Sequence, residues 1–339
     1  MPSTADGSGE AWFDLGETRD GALGERMVAV ARSLWRPQAL KSLAEGAEIL
    51  VARNLEMLVL AWRVKRRRQR LVYECLDIHR LMLGRGLKLR LLRWLERRLI
   101  ARADLVVVSS PAFAREYFAR RQQRVDRVLL VENKVPFPTL AARVRPVPEP
   151  AEPIRIGWFG MLRCRRTLEE LKAIAREGQG AIEVVIAGIP SPAEFPHFAA
   201  EVSGAPRLTY RGPYTAADLA QLYAGVDYVW AIDYFEEGLN SDWLLPNRLY
   251  EGVAHGVVPI ALRRVETGRW LARHGVGLLL DDAARELMPK LAGMSAQERA
   301  AMIEAVRALP AQAVLQTDEE RRDIVAAMTG AARARTRRE

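Results

Sequence analysis

The chain has 339 residues, 49% hydrophobic and 27% charged, with a formal net charge of +9 and two cysteines. That length fits two domains, or one large one, with full-sized cores. Two cysteines are too few for a disulfide framework, so Cys75 and Cys164 are read as reduced thiols. The first 150 residues hold 28 Lys and Arg against 17 Asp and Glu, and the remainder 23 against 25. The first half is therefore the side expected to meet an anionic surface or ligand.

The opening stretch, MPSTADGSGEAWFDLGETRDG, lacks the basic and apolar regions of a signal peptide. No apolar run approaches the roughly 18–20 residues of a membrane span. The expected location is the cytoplasm, either free or peripheral on the inner membrane. Strands are predicted at Glu48–Ala52, Leu71–Glu74, Leu105–Ser109 and Val128–Val131, as nearly continuous apolar runs of the kind buried on both faces of a parallel sheet. Helices are predicted between them, over Asn54–Arg66, Leu87–Ala103 and Pro111–Arg121. RVRPVPEPAEP (Arg143–Pro153) is too proline-rich for helix or central strand and reads as a linker. The same rhythm then resumes. Strands are predicted at Ile154–Gly160, Glu183–Gly188, Leu208–Gly212, Val226–Ala231, Val257–Leu262 and Val276–Leu280, with helical stretches between. Pairs of helices run from about Ala283 to Ala331, before a basic tail. The domain reading is 1–140, a linker at 141–153, a second domain at 154–330 and a tail at 331–339. The fold class is α/β, with two Rossmann-like domains that bind ligands outside the carboxyl ends of their strands.

Five constellations stand out. In YECLDIHR, Asp77 and His79 follow a strand end, where acids and bases of catalysis lie, although a structural His–Asp pair fits equally. RGLKLRLLRWLERRLIARAD (Arg85–Asp104) is a basic amphipathic helix with Leu87, Leu91, Trp94, Leu95 and Leu99 near one face. That stripe is expected to be core, leaving a charged rim free for anionic lipid, with RVKRRRQR (Arg63–Arg70) adding to the field. The basic run Arg63–Arg70 lacks the interleaved aromatics and reading motif of a nucleic-acid binder, so no specific nucleic acid is expected. GWFGMLRCRRTLEEL follows a strand, offering glycine-turn amides at Gly160 and the cations Arg163 and Arg166 to a phosphate, with Thr167 as a helix cap. It lacks both GxGxxG and GxxxxGK[ST], which counts against a dehydrogenase or a P-loop. In AIDYFEEGLNSD, Asp233, Glu237 and Asn240 are candidates to hold sugar hydroxyls, or form a solvated acidic loop. In WLLPNRLYEGVAHG, Pro246 fits the first helical turn and Gly256 the stop. Asn247 and Arg248 lie at the helix start, and Arg248 shares a face with Glu251. That face suits a diphosphate followed by a ribose, and Gly252 leaves room for a neighbouring segment. Four scattered histidines and two cysteines give no metal-site spacing.

Together these segments resemble glycosyltransferases of the two-Rossmann GT-B fold, family 4-like and retaining, with two domains facing a cleft. ARNLEMLVLA, VYECLDIHR and LLPNRLYE are similar to bacterial exopolysaccharide glycosyltransferases of the succinoglycan-assembly type. The resemblance implies an acceptor-side first domain and a donor-side second domain. It implies that Arg248 contacts the donor diphosphate and Glu251 the ribose, that Gly160 approaches the phosphates, and that Arg163 or Arg166 neutralises them. LTYRGPY would bring Tyr214 toward the base. The family often has two glutamates bracketing seven residues, which would put the first at Trp243. Its nearest substitutes here are Glu237 before Gly238, or Asn240. Compared with the family, the first domain is expected to lack its first strand or two. The resemblance further implies a nucleoside-diphosphate sugar as co-substrate with no cofactor and a polyprenyl-diphosphate-linked saccharide as acceptor; the basic helix and the positive first half add an anionic membrane surface as partner. The other reading is a non-catalytic nucleotide-sugar-binding or assembly protein derived from such an enzyme.

Overall fold

The computed structural model describes residues 37–84, 86–123, 126–136 and 153–331. Its contacts separate two compact units. One holds the described residues up to Val131 together with those from Glu319 on, and the other is Glu132–Asp318.

In the first unit, β1 (Ile49–Arg53), β2 (Arg70–Cys75), β3 (Leu105–Val108) and β4 (Val128–Leu130) form one parallel sheet in chain order. Leu71 and Val72 of the inner strand β2 are fully buried, which is why that strand shows no polar alternation. Helices Asn54–Val64 and Leu87–Ile100 make the first two crossovers. The third, expected as an α-helix over Pro111–Arg121, is π-helical over Phe113–Ala119. The wider turn brings residues five apart onto one side. Tyr117 and Gln122 thereby both donate to the buried Glu96 carboxylate, which also accepts from Tyr73 at 2.8 Å. Burial holds the Glu96 carboxyl above the usual carboxylate range.

The second unit contains β6 (Ile154–Leu162), β7 (Ile182–Pro190), β8 (Leu208–Tyr210), β9 (Tyr228–Trp230), β10 (Val258–Leu262) and β11 (Leu278–Leu280). They form a parallel sheet in the order β11-β10-β9-β6-β7-β8. The chain steps outward from β6 to β8, crosses back, and continues from β9 to β11 on the other side. That is doubly wound order, with its switch point between β6 and β9. Trp158 and Trp230, on these two strands, are almost completely buried and anchor the core. Two residues at Val135–Pro136 (β5) pair in parallel with Leu315–Gln316 (β12), too short a match for any sequence period to reveal.

The sequence reading put all of 154–330 in the second domain. The last helix, Asp318–Thr329, instead returns to the first unit. Arg70 Nε donates to the Met328 carbonyl at 2.8 Å and Nη2 to that of Ala327 at 3.4 Å, satisfying oxygens a helix end leaves open. The expected loss of a first strand concerns residues 1–36, and most of the linker and the tail fall at 137–152 and 332–339. All of these lie outside the described residues. Cys75 and Cys164 are buried free thiols. Among the described residues no helix is long and apolar enough to cross a membrane.

Candidate functional site

The switch point of the second sheet is where the sequence-selected residues gather. At the carboxyl ends of the strands, Gly160 of β6 sits in register with Gly188 of β7. A Cβ on Gly188 would lie 1.7 Å from the Gly160 carbonyl oxygen, so the strands close here only without side chains. Gly160 itself has φ +117°, in the region that favours glycine. Its carbonyl-end neighbours lead directly into Arg163.

The helix Arg165–Glu177 starts earlier than expected. Its N-cap is Cys164, whose sulfur accepts from the Thr167 amide at 3.5 Å, and Thr167 is buried inside the first turn instead of capping it. Across the switch point, β9 runs out into Asp233. One Asp233 carboxylate oxygen, Oδ2, lies 4.0 Å from Arg163 Nη2 and 3.9 Å from Arg248 Nη2. The other accepts from the Phe235 amide and from Ser241 Oγ, both at 2.8 Å. Arg248 also donates from Nη2 to the Ile232 carbonyl at 3.0 Å, yet its buried Nε has no partner. Its side chain is only 10% exposed. Two guanidinium groups thus share one carboxylate at distances too long for direct hydrogen bonds, which leaves local positive charge and an unsatisfied donor in one place.

Arg248 is held there by the helix Asn247–Ala254, for which Pro246 is the N-cap and not the first helical residue. Gly252 faces β9. A Cβ on it would meet Val229 Cγ1 at 2.5 Å, so the glycine sets how closely the helix approaches the sheet. Glu251, one turn after Arg248, accepts from the Tyr223 hydroxyl at 3.0 Å. Burial holds its carboxyl above the usual range, against the pull of Tyr223 and Arg248. Tyr214 packs edge-on against Phe159, and its hydroxyl is pushed up to about 12 by burial and then by the Glu251 charge. That hydroxyl is 4.0 Å from where a Cβ of Gly160 would stand.

The other predicted residues are committed differently. Arg166 lies 3.9 Å over the Tyr234 ring and donates to Glu170 at 2.8 Å and to Glu237 at 2.6 Å. Glu237 also takes Arg264, so its carboxylate is an arginine clamp in this state. Gly238, at φ +77°, donates its amide to Asp242 Oδ1 at 3.0 Å. Asn240 is buried at the start of a short 3₁₀ turn, and Asn247 is exposed at the helix start. Asp77 is exposed and His79 half-buried just beyond β2, in the first unit. Sequence reasoning did not single out Arg264 or Tyr223. Arg264 carried a usable signal, since it follows the carboxyl end of β10. Tyr223 carried none, because a buried tyrosine on a short helix looks like any core residue. Among the described residues there is no cluster of His, Cys, Asp and Glu able to hold a metal ion.

Residues 10–134 match the family described as glycosyl transferase 4-like domain. The succinoglycan biosynthesis protein ExoL of Rhizobium meliloti (strain 1021) is 42% identical over 290 residues, which span 83% of this chain and 72% of that protein. The chain belongs to the glycosyl transferase 4-like family. The fold agrees with this membership. Anabaena Alr3699/HepE, solved in complex with UDP and glucose, superposes with a TM-score of 0.64 at 16% identity, covering 95% of this chain and 84% of that one. Sucrose-phosphate synthase (tll1590) from Thermosynechococcus elongatus gives 0.61 at 16%, covering 93% and 79%. As a member of this family the chain is a glycosyltransferase, built from two Rossmann-like domains in the GT-B manner.

Proposed function

We propose that the chain transfers a sugar, with retention at the anomeric carbon, from a nucleoside-diphosphate sugar held by Glu132–Asp318 to a polyprenyl-diphosphate-linked saccharide in exopolysaccharide assembly. It works at the cytoplasmic face of the inner membrane. The kinship with ExoL supports the pathway. HepE, solved with UDP-glucose, makes UDP the first nucleotide to try. The observation that carries the reading is the pair Arg163 and Arg248 around Asp233 at the switch point, with Arg248 Nε unpartnered and Glu251 one turn away.

In this reading the diphosphate displaces weak ion pairs at 3.9–4.0 Å with direct, charge-assisted bonds. Charge that builds on the leaving diphosphate is met by preorganised guanidinium groups and the Gly160 backbone. Glu251, as an ionised acceptor, takes the ribose hydroxyls, and Tyr214 lies toward the base. The leaving phosphate takes the acceptor proton, while Asp77 and His79 orient the acceptor. Neutralisation runs through arginine, with no cofactor or metal step. Glu237, Gly238, Asn240 and Asn247 frame the sugar end. For Glu237 this requires Arg166 or Arg264 to turn to the phosphates.

Calorimetric titration with UDP, GDP and ADP tests the donor site. One nucleotide should bind selectively, and binding should fail in Glu251→Ala. Burial raises the Glu251 carboxyl, and only its ionised form accepts from ribose. Affinity should therefore rise with pH across the region just above the ordinary glutamate range, with a proton released on binding. A folded protein that binds none of the three, or whose Glu251→Ala variant binds as well as wild type, overturns the assignment.

A further inference from the structure

The sequence reading placed Leu87, Leu91, Trp94, Leu95 and Leu99 in one stripe packed into the core. The structure divides that stripe. Leu99 and Ile100 are buried and so is Glu96, whereas Leu87, Leu91 and Trp94 are 81%, 65% and 51% exposed. Spacings of four and three put these three residues in a row along one side of the helix Leu87–Ile100. The rotation is fixed from inside. Glu96 takes hydrogen bonds from Tyr73, Tyr117 and Gln122, and turning Leu91 and Trp94 inward would strip that carboxylate of all three.

The cations on the helix are sorted in the same way. Arg93 is tied back to the Met82 and Gly84 carbonyls, and Arg97 to that of Arg121. Arg90 is exposed, and the Arg98 guanidinium sits 5.1 Å from the centre of the Trp94 ring. Neither has a carboxylate partner among the described residues. Just past the helix, Arg102 covers Trp62 at 4.9 Å, and Trp62 is itself 39% exposed. Two further arginines, Arg67 and Arg68, are exposed on the turn that follows. Glu96 is the only acid in the helix, and it points inward.

The outward face is therefore apolar and cationic, with no acid of the helix on it. A protein partner would ordinarily meet a centre depleted in unpaired charge. A row of leucine and tryptophan rimmed by unpaired arginine instead matches the boundary between headgroups and acyl chains of an anionic bilayer. We infer that this face docks on anionic lipid. Leu87, Leu91 and Trp94 enter the interface, and Arg90, Arg98 and Arg102 engage lipid phosphates. The inference rests on the membrane location proposed above and names the surface responsible for it, and since docking needs neither donor nor acceptor it can fail or hold independently of sugar transfer.

Sedimentation with vesicles of equal parts phosphatidylcholine and phosphatidylglycerol tests it, with phosphatidylcholine alone as the reference. Wild type should partition onto the anionic vesicles at low salt and leave them at high salt. Arg90→Ala with Arg98→Ala should weaken partitioning roughly thirtyfold. Leu87→Ala, Leu91→Ala and Trp94→Ala together should weaken it at least about tenfold. Nucleotide binding and circular dichroism should be unchanged in both variants. Should the triple variant misfold, quenching of tryptophan fluorescence by brominated lipid, reduced in Trp94→Phe, reads the same contact. Wild type that stays in the supernatant, or folded variants that partition as wild type does, overturns the inference. So does a triple variant that changes only from dimer to monomer, because the face would then join two copies of this chain.

Discussion

Arg248 is the residue on which the proposed donor site turns. Its guanidinium is nine-tenths buried, makes one hydrogen bond to the Ile232 carbonyl, and shares Asp233 with Arg163 at long range. A buried cation with a spare N–H is costly unless something completes it, and a diphosphate would. Arg248→Ala should lower turnover by about 10²–10³-fold, the scale of losing one preorganised donor to developing negative charge. Steady-state kinetics at saturating donor would show it, and near-normal turnover would remove Arg248 from the site. Arg166 differs in kind. It bridges Glu170 and Glu237 over the Tyr234 ring, so it would have to give up a carboxylate to reach a phosphate.

At the scale of elements, the site depends on how closely the helix Asn247–Ala254 lies against β9. The glycine in its middle looks wasteful from the sequence, since it costs about 1 kcal/mol of helix propensity relative to alanine. The packing explains it. Gly252→Ala would press a methyl to 2.5 Å from Val229 Cγ1, and overpacking of this sort typically costs about 1–3 kcal/mol. An approach of 2.5 Å belongs in the upper part of that range, so against about 1 kcal/mol of propensity gained the net destabilisation should be about 1–2 kcal/mol, read as a lower melting temperature. Val229→Ala in the same chain should restore much of it by clearing the contact. Equal stability of Gly252→Ala and wild type would mean that the helix has slack. The π-helical turn at Phe113–Ala119 obeys the same logic, because the backbone widens so that Tyr117 and Gln122 reach one buried carboxylate.

At the scale of the whole molecule, the described residues form two large parallel sheets and the short β5–β12 pair, and the last helix crosses back to the first unit. The proposed donor residues all belong to Glu132–Asp318, and Asp77 and His79 to the other unit. Their effects should therefore separate in kinetics. Asp77→Asn and His79→Ala should raise KM for the acceptor or lower turnover while leaving nucleotide affinity as in wild type. Unchanged kinetics in both variants would exclude them from the reaction.

Much of this was readable from residues alone. Ten parallel strands fall within about two residues of the runs that announce them, and the inner ones such as β9 and β10 are continuously apolar because both their faces are buried. Arg248, Glu251 and Gly160 were legible because helix spacing and strand-end glycines are local properties of the chain. Other features were decided only in three dimensions. Glu96 reads as one more charge on a basic helix, and only Tyr73, Tyr117 and Gln122, brought from two other elements, draw it inside and turn Leu87, Leu91 and Trp94 outward. Arg264 joins Glu237 across 27 residues, and Tyr223 joins Glu251 across 28. Sequence periodicity reports which side of an element is apolar. Which side faces inward depends on the partners that other elements supply.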